Sequence, residues 1–190
     1  DVYILKEAGQ EKYNVLQGIQ FFNPAFCGNE TEALRWIVDN QLSPSPLGRA
    51  AFTERALENA VKFGTRQYLI FAAGYDSFAY RQPEWASRLQ IFELDISDEY
   101  GKETAHKRYL RKKKPANLTY LPVDLTVTAI DGYLAETEFN RAKLSFCSLL
   151  GISYYLSKEH FTNLIKGISN TVCTGSIVVF DYPDQDTYTD

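Results

Sequence analysis

Methionine is absent from this sequence, and the side chains that most often carry redox or metal chemistry are scarce. Among 190 residues there are two histidines and three cysteines, Cys27, Cys147 and Cys173. The cysteines are odd in number and far apart, and none forms a CxxC pair, so neither a disulfide framework nor a zinc site is indicated. A reducing compartment fits this cysteine usage best, and we expect no bound metal.

Long apolar runs and a strong net charge are also lacking. No run approaches the roughly 18 residues that a membrane-spanning helix needs, and no signal peptide is recognisable. The net charge of -4 gives no global attraction to nucleic acid or to an anionic membrane. One basic cluster, at residues 107–108 and 111–114, is interpreted as a solvated helix end, because no aromatic platform accompanies it. We therefore expect a soluble, cytoplasmic protein without nucleic-acid or membrane partners.

The composition is that of a globular domain, with 45% hydrophobic and 23% charged residues. We expect a single domain over residues 1–190, with a helical cap in residues 1–46 and a core in residues 47–190. The chain begins at Asp1 and ends at Asp190 after a short polar tail. We expect that sequence is missing at the ends, including further C-terminal strands.

Five short apolar runs alternate with segments of helical character. The runs lie at residues 68–73, 89–95, 118–124, 143–150 and 175–181. Helices are predicted at residues 30–40, 49–63, 78–87, 97–113, 130–138 and 158–168. Such an order is typical of a parallel sheet covered on both faces by helices, so the predicted fold class is α/β.

Three details of the first two helices follow from the pattern. Thr31 is the expected N-cap of the first helix. Residues 42–48 (LSPSPLG) are expected to break the chain between the two helices. The buried stripe of the second helix is predicted from its apolar spacing to comprise Phe52, Ala56, Leu57, Ala60 and Val61.

The residues at the strand ends point to a ligand. Open parallel sheets bind ligands beyond the carboxyl ends of their strands, and here these ends carry Gly74, Asp95, Asp124, Leu150 and Asp181. A glycine and several carboxylates suit a ligand with a sugar, a hydrogen-bond-donating base and a cationic centre. They suit a pyrophosphate poorly, because acid repels phosphate and no GxGxxG cradle is present. A nicotinamide dehydrogenase is therefore disfavoured.

Five segments in order carry a resemblance to a known family. They are residues 72–81 (AAGYDSFAYR), 92–95 (FELD), 122–125 (PVDL), 151–156 (GISYYL) and 179–183 (VFDYP). The first resembles the GAGxDTxAYR segment of the leucine carboxyl methyltransferase-like family, which includes bacterial O-methyltransferases often associated with polyketide biosynthesis. The resemblance runs from about residue 47 to the C-terminus. It implies a class I methyltransferase, Rossmann-like fold and S-adenosyl-L-methionine as cofactor.

The resemblance also implies roles for strand-end residues on the nucleoside side of the cofactor. Asp95 would accept hydrogen bonds from the ribose hydroxyls. Asp124 would accept one from the adenine amino group, and the backbone N–H of Leu125 would donate to the ring. Asp95 and Asp124 could instead be helix caps, an ordinary role for strand-end acids.

On the amino-acid side, the resemblance implies that Ala72 and Gly74 form the loop near the methionine part of the cofactor. Arg49 would pair with the cofactor carboxylate, or it could be an ordinary surface arginine. Ala72 stands where the family has a glycine, and Leu150 stands where many relatives have a glutamate. A leucine cannot contact the cofactor's ammonium group through a carboxylate, and the Leu150 carbonyl could serve instead.

Methyl transfer depends chiefly on alignment and exclusion of water. Tyr155 matches the family's tyrosine and is the predicted catalytic residue, with Tyr154 as its neighbour at the same strand end; an aromatic residue here could also be core. His106 and His160 are expected on helix surfaces. Glu93 is interpreted as structural, and Asp76 as a cap of the following helix.

The expected activity is O-methylation of a carboxylate or hydroxyl of a small metabolite. Two alternatives stay open: methylation of a protein C-terminal carboxyl, and an inactive cofactor-binding module, suggested by Ala72 and Leu150. The N-terminal aromatic residues are interpreted as a lid over the acceptor or as packing against the helices. They are Tyr13, Phe21, Phe22 and Phe26.

Overall fold

A parallel sheet forms the centre of the computed structural model, which describes residues 23, 25–74, 76–96, 113–126 and 130–184. The sheet has five strands in the order β3-β2-β1-β4-β5. The strands are β1 Gln67–Phe71, β2 Gln90–Asp95, β3 Leu118–Pro122, β4 Ser145–Leu149 and β5 Ile177–Phe180. Four of them lie within a predicted apolar run, β1 begins one residue before its run, and all four pairings are parallel. The predicted α/β class is confirmed.

Helices lie between and before the strands. The α-helices are α1 Glu30–Ile37, α2 Gly48–Lys62, α3 Ile130–Ala135 and α4 Lys158–Thr171. A π-helical segment spans Val38–Leu47, and three 3-10 turns span Phe78–Tyr80, Glu84–Ala86 and Ser153–Tyr155. Within the described ranges, no helix is long and apolar enough to cross a membrane.

The sheet separates two apolar cores because successive strand residues point to opposite faces. On one face Tyr68 and Ile70 pack with Leu57 of α2. On the other face Leu69 and Phe71 pack with residues of α3 and α4. Every residue of β1 and β4 is buried, including the polar Gln67, Ser145 and Ser148, which explains why both strands are otherwise apolar.

The strand order places a crevice at one edge of the sheet. From β1 the chain moves outward through β2 to β3, and it then crosses back to form β4 and β5 on the other side of β1. The order therefore reverses between β1 and β4, the point at which sheets of this kind bind ligands beyond their carboxyl ends.

The first turn of α2 lies at the carboxyl edge of the sheet, since Arg49 contacts Tyr154 after β4 and Asp181 after β5. The buried residues of the helix are Thr53, Leu57 and Ala60, at helical spacing. The predicted burial of Phe52 is wrong: its side chain is 66% exposed, because it lies beside this stripe rather than in it. The helix ends before Gly64, whose φ of 104° favours glycine.

The start of α1 and the segment after it differ from the prediction. The N-cap is Asn29, not Thr31, and it forms a reciprocal capping box with Glu32. The expected break at residues 42–48 is also wrong, since the chain continues in helical form over Val38–Leu47.

The predicted helix at residues 78–87 is wrong as well. Two 3-10 turns replace it, because Pro83 lacks the N–H that a continuous helix would need and disfavours a helical residue before it. The C-terminal helix is confirmed and extends to Thr171. Several predictions concern residues that lie outside the described ranges. They are the helix at residues 97–113 apart from its last residue, His106, most of the basic cluster, and the aromatic residues Tyr13, Phe21 and Phe22.

Replacing Leu57 by alanine tests how α2 is anchored to the sheet. Leu57 is fully buried, so Leu57→Ala should lower the free energy of unfolding by about 2–5 kcal/mol through lost contacts and a cavity. The exposed Phe52 on the same helix is the matched control, and Phe52→Ala should cost less than about 1 kcal/mol. Urea denaturation monitored by circular dichroism measures both; equal losses would contradict this orientation of α2.

Candidate functional site

A cleft of about 240 Å³ opens at the carboxyl ends of β1, β2 and β3. It brings together five of the residues predicted from the sequence: Ala72, Asp95, Asp124, Leu125 and Tyr155. The remaining lining residues are Ile96, Val123, Thr126, Ile152 and Leu156. The cleft is therefore mostly apolar, with carboxylates at two strand ends. The other predicted residues, Arg49, Gly74 and Leu150, do not line it.

A second cavity, of about 290 Å³, lies by α3 and the end of α4, towards the amino ends of the strands. Its charged residues, Asp131 and Arg141, face each other at 4.0 Å. None of the residues predicted from strand ends lines this cavity. The carboxyl-edge cleft is therefore the better candidate for a functional site.

Asp95 lines the cleft as the last residue of β2, and only 9% of it is exposed. Its Oδ2 accepts a hydrogen bond of 2.5 Å from the N–H of Gly74, in the loop after β1. Its backbone carbonyl accepts one of 2.7 Å from Val123, after β3. The residue thus joins all three strand ends that form the cleft.

The loop after β1 contains two residues in the left-handed conformation. Ala72 and Gly74 both have a φ of 51°. Ala72 is the only non-glycine residue with a positive φ in the described part of the chain. This conformation costs a residue with a Cβ roughly 1–2 kcal/mol. An alanine here therefore strains the backbone, an effect that the sequence pattern did not reveal.

Asp124 lies at the rim of the cleft and is exposed. Its Oδ1 accepts hydrogen bonds from the hydroxyl of Thr126 at 2.7 Å and from its N–H at 2.9 Å. These two bonds, the hydroxyl first, lower the pKa of Asp124. The side chain is thus held as a carboxylate by a local turn. Thr126 was not predicted as a site residue, although its spacing from Asp124 is typical of such a turn.

Arg49 lies beside the cleft, where the first turn of α2 meets the ends of β4 and β5. Its Nη1 donates to Asp181 Oδ2 at 2.7 Å and to the Tyr154 hydroxyl at 2.6 Å. Its guanidinium lies against Gly151, where an added Cβ would be 2.5 Å from Nη2. Gly151, with a φ of 70°, is thus required by both backbone conformation and space.

The hydrogen bonds among Arg49, Tyr154, Asp181 and Gly151, called the Arg49 cluster, fix the protonation states of its side chains. Burial alone would raise the pKa of Asp181, but the bonds from the Gly151 N–H and the Tyr154 hydroxyl and the charge of Arg49 together lower it. Burial and the bond to Asp181 raise the pKa of Tyr154. At neutral pH the cluster is therefore a guanidinium–carboxylate pair with a neutral phenol.

Tyr155 projects at the cleft and is 81% exposed, with its ring 5.6 Å from that of Tyr154. Leu150 is half-buried at the end of β4. The placement of His160 on the surface of α4 is confirmed, since the residue is exposed. No catalytic imidazole therefore lines the described cleft.

Three further residues are structural, and two of them, Asp76 and Glu93, were predicted to be so. Asp76 does not occupy the N-cap of the following 3-10 turn, which is Ser77, but its side chain accepts a hydrogen bond of 2.7 Å from the N–H of Phe78, the first residue of that turn. Arg81 forms an ion pair with Glu54 and ties this turn to α2. Glu93 is buried within β2, at 1% exposure, consistent with its structural interpretation.

Comparison with known proteins identifies the family that this chain matches. The model of the leucine carboxyl methyltransferase family matches residues 2–169. A Bacillus subtilis (strain 168) protein, named "Putative S-adenosyl-L-methionine-dependent methyltransferase YktD", is 36% identical over 199 residues. The match covers 100% of this chain and 65% of that protein. The chain thus spans slightly less than two thirds of this relative's length.

Two solved structures resemble the fold. A DUF574 family protein from Streptomyces avermitilis MA-4680 has a TM-score of 0.58 at 15% identity, over 82% of this chain and 62% of that one. A "putative methyltransferase" from Thermobifida fusca YX has a TM-score of 0.50 at 18% identity, over 78% and 59%. At such identities the likeness concerns the fold alone. It is the class I, Rossmann-like methyltransferase fold expected from the sequence.

Restoring glycine at position 72 tests the strain in the loop. Ala72→Gly should raise the free energy of unfolding by about 0.5–1 kcal/mol, because relief of the left-handed alanine exceeds the added flexibility of the unfolded chain. Ala73 is the matched control: it has no positive φ, and Ala73→Gly should be destabilising. Thermal denaturation compares the two variants. A change in melting temperature of the same sign in both would contradict the proposed strain at Ala72.

Proposed function

Because this chain belongs to the leucine carboxyl methyltransferase family, we propose that it binds S-adenosyl-L-methionine and transfers its methyl group to an acceptor. The observation that carries the proposal is the convergence of Ala72, Asp95, Asp124 and Leu125 from three strand ends on one cleft. The loop after β1, beside a buried carboxylate, suits a nucleoside, and the apolar walls suit its base.

The nucleoside part of the cofactor is assigned to the described cleft. Asp95 accepts from the two ribose hydroxyls, a task for which a carboxylate with two oxygens is suited. Asp124 accepts from the adenine amino group, and the backbone N–H of Leu125 donates to the ring. Support comes from the burial of Asp95 and from the charge that Thr126 stabilises on Asp124.

The amino-acid part is assigned to the neighbouring polar groups. Arg49 receives its carboxylate, and the backbone of Ala72 and Gly74 lies along its chain. The carbonyl of Leu150 faces the ammonium group, since the leucine side chain has no charge to offer. Support comes from the position of Arg49 against Gly151, the residue that follows Leu150.

The bound cofactor supplies an electrophilic methyl group on a sulfonium centre. The residues of the chain align the acceptor and exclude water, and Tyr155 is assigned to that task because it lines the cleft and is exposed. No histidine, lysine or cysteine is among the described residues that line the cleft. An acceptor that is already ionised needs no general base, and both carboxylates of the cleft are assigned to the cofactor, so a carboxylate of a small molecule is assigned as the acceptor.

The binding of S-adenosylhomocysteine tests the cofactor assignment. Isothermal titration of the full-length protein should show binding. The Asp95→Ala variant should bind at least about tenfold more weakly, because it loses charge-assisted hydrogen bonds. Asp95→Asn keeps the shape of the side chain and should also bind more weakly.

The control for this titration is Asp131→Asn, which removes an exposed carboxylate beside the second cavity and should bind as the wild type does. Thermal denaturation identifies any variant that is unfolded. Absence of binding by the wild type refutes the cofactor, and an unchanged affinity in both Asp95 variants refutes the ribose assignment alone.

The chemistry of the methylated product tests the acceptor assignment. The full-length protein is incubated with methyl-labelled S-adenosyl-L-methionine and a panel of small carboxylic acids and hydroxylated compounds. A carboxylate acceptor gives a methyl ester, which alkali hydrolyses with release of labelled methanol. Label that survives alkali as a methyl ether would instead indicate a hydroxyl acceptor.

A further inference from the structure

The guanidinium of Arg49 is held from one side. Its Nη1 donates to both Asp181 and Tyr154, which uses the two N–H groups of that atom. Nη2 and Nε have no acceptor within the described ranges, and the side chain is 27% exposed. Three N–H groups of a permanently charged side chain therefore remain for a ligand.

The groups that hold Arg49 are themselves fixed. The second oxygen of Asp181, Oδ1, accepts the Gly151 N–H at 2.6 Å, and the Tyr154 hydroxyl donates to Oδ2 at 2.9 Å. One carboxylate thus joins the first turn of α2 to the residues that follow β4 and β5. Because each contact has a defined partner, the cluster fixes both the position and the orientation of the guanidinium.

A neighbouring hydroxyl also lacks a partner. Thr53 lies one helical turn after Arg49, so the two side chains share a face of α2. Thr53 is 1% exposed, and its Oγ1 makes no hydrogen bond with any described residue. Buried hydroxyl groups are nearly always hydrogen-bonded, so this one indicates that a further polar group is accommodated near Arg49.

We propose that Asp181 and Tyr154 are positioning residues that hold Arg49 by Nη1, so that the Arg49–Asp181 pair recognises a zwitterionic α-amino-acid group. Under the proposed function, on which this inference rests, that group is the amino-acid part of the cofactor. The free side of Arg49 pairs with its carboxylate. Asp181 supplies the negative charge for its ammonium group.

The position of Asp181 explains how the chain accommodates a leucine at position 150. The Asp181 carboxylate binds the N–H of Gly151, the residue next to Leu150. A negative charge is therefore present at the end of β4 although it belongs to the residue that follows β5. A residue 30 positions after Gly151 thus preserves the charge pattern complementary to an amino acid.

Two ligands that differ only in the amino-acid part separate positioning from general structure. S-Adenosylhomocysteine carries the α-amino-acid group, and 5′-methylthioadenosine lacks it. By titration of the full-length protein, Asp181→Asn should weaken the binding of S-adenosylhomocysteine about tenfold and leave that of 5′-methylthioadenosine unchanged. Tyr154→Phe removes one hydrogen-bond partner of Arg49 and keeps the charges of Arg49 and Asp181. It should therefore weaken the binding of S-adenosylhomocysteine by a smaller factor and leave that of 5′-methylthioadenosine unchanged.

The remote Asp131→Asn variant is the matched control and should bind both ligands as the wild type does. Failure of the wild type to bind either ligand refutes the proposed function. If the wild type binds S-adenosylhomocysteine, an unchanged affinity in Asp181→Asn overturns this inference alone. Equal weakening of the binding of both ligands also overturns the inference, because that result indicates a purely structural role for Asp181. If Asp181→Asn is unfolded, the affinities of Tyr154→Phe for the two ligands are compared instead, and the same outcomes support or overturn the inference.

Discussion

The hydrogen bond from the Gly74 N–H to the Asp95 carboxylate links the ends of the two central strands on which the candidate site depends. Parallel pairing of β1 with β2 brings these ends to the same edge of the sheet. The bond then fixes the loop after β1, including the left-handed Ala72, against the last residue of β2. The same carboxylate lines the cleft, so the group that builds the site also borders the cleft in which the ligand is proposed to bind.

The other half of the crevice is organised by a second carboxylate. Asp181 joins Arg49 of α2 to Gly151 and thereby connects the helix before the sheet with the ends of β4 and β5. The reversal of strand order between β1 and β4 places these two carboxylate-centred clusters on either side of one crevice. A nucleoside suits the cluster around Asp95, and an amino acid suits that around Arg49. S-Adenosyl-L-methionine joins both parts in one molecule, which is why the proposal assigns each cluster to one part.

Much of this arrangement could be predicted from the sequence, because buried parallel strands require apolar runs and ligand-binding residues follow them. The five strands and the convergence of Asp95 and Asp124 were found in this way. Other features depend on contacts that spacing does not encode. Arg49 and Asp181 are 132 residues apart, so their ion pair had no local signal. The exposure of Phe52 depended on which face of an amphipathic helix met the sheet.

The account requires that a nucleoside bind at the carboxyl ends of β1, β2 and β3. A crystal structure of the full-length protein with S-adenosylhomocysteine tests this directly. The ribose hydroxyls are predicted within hydrogen-bond distance of the Asp95 carboxylate, with the adenine between Asp124 and the apolar wall of the cleft. Ligand density elsewhere, such as in the cavity beside α3, with the Asp95 cleft empty, would contradict the account.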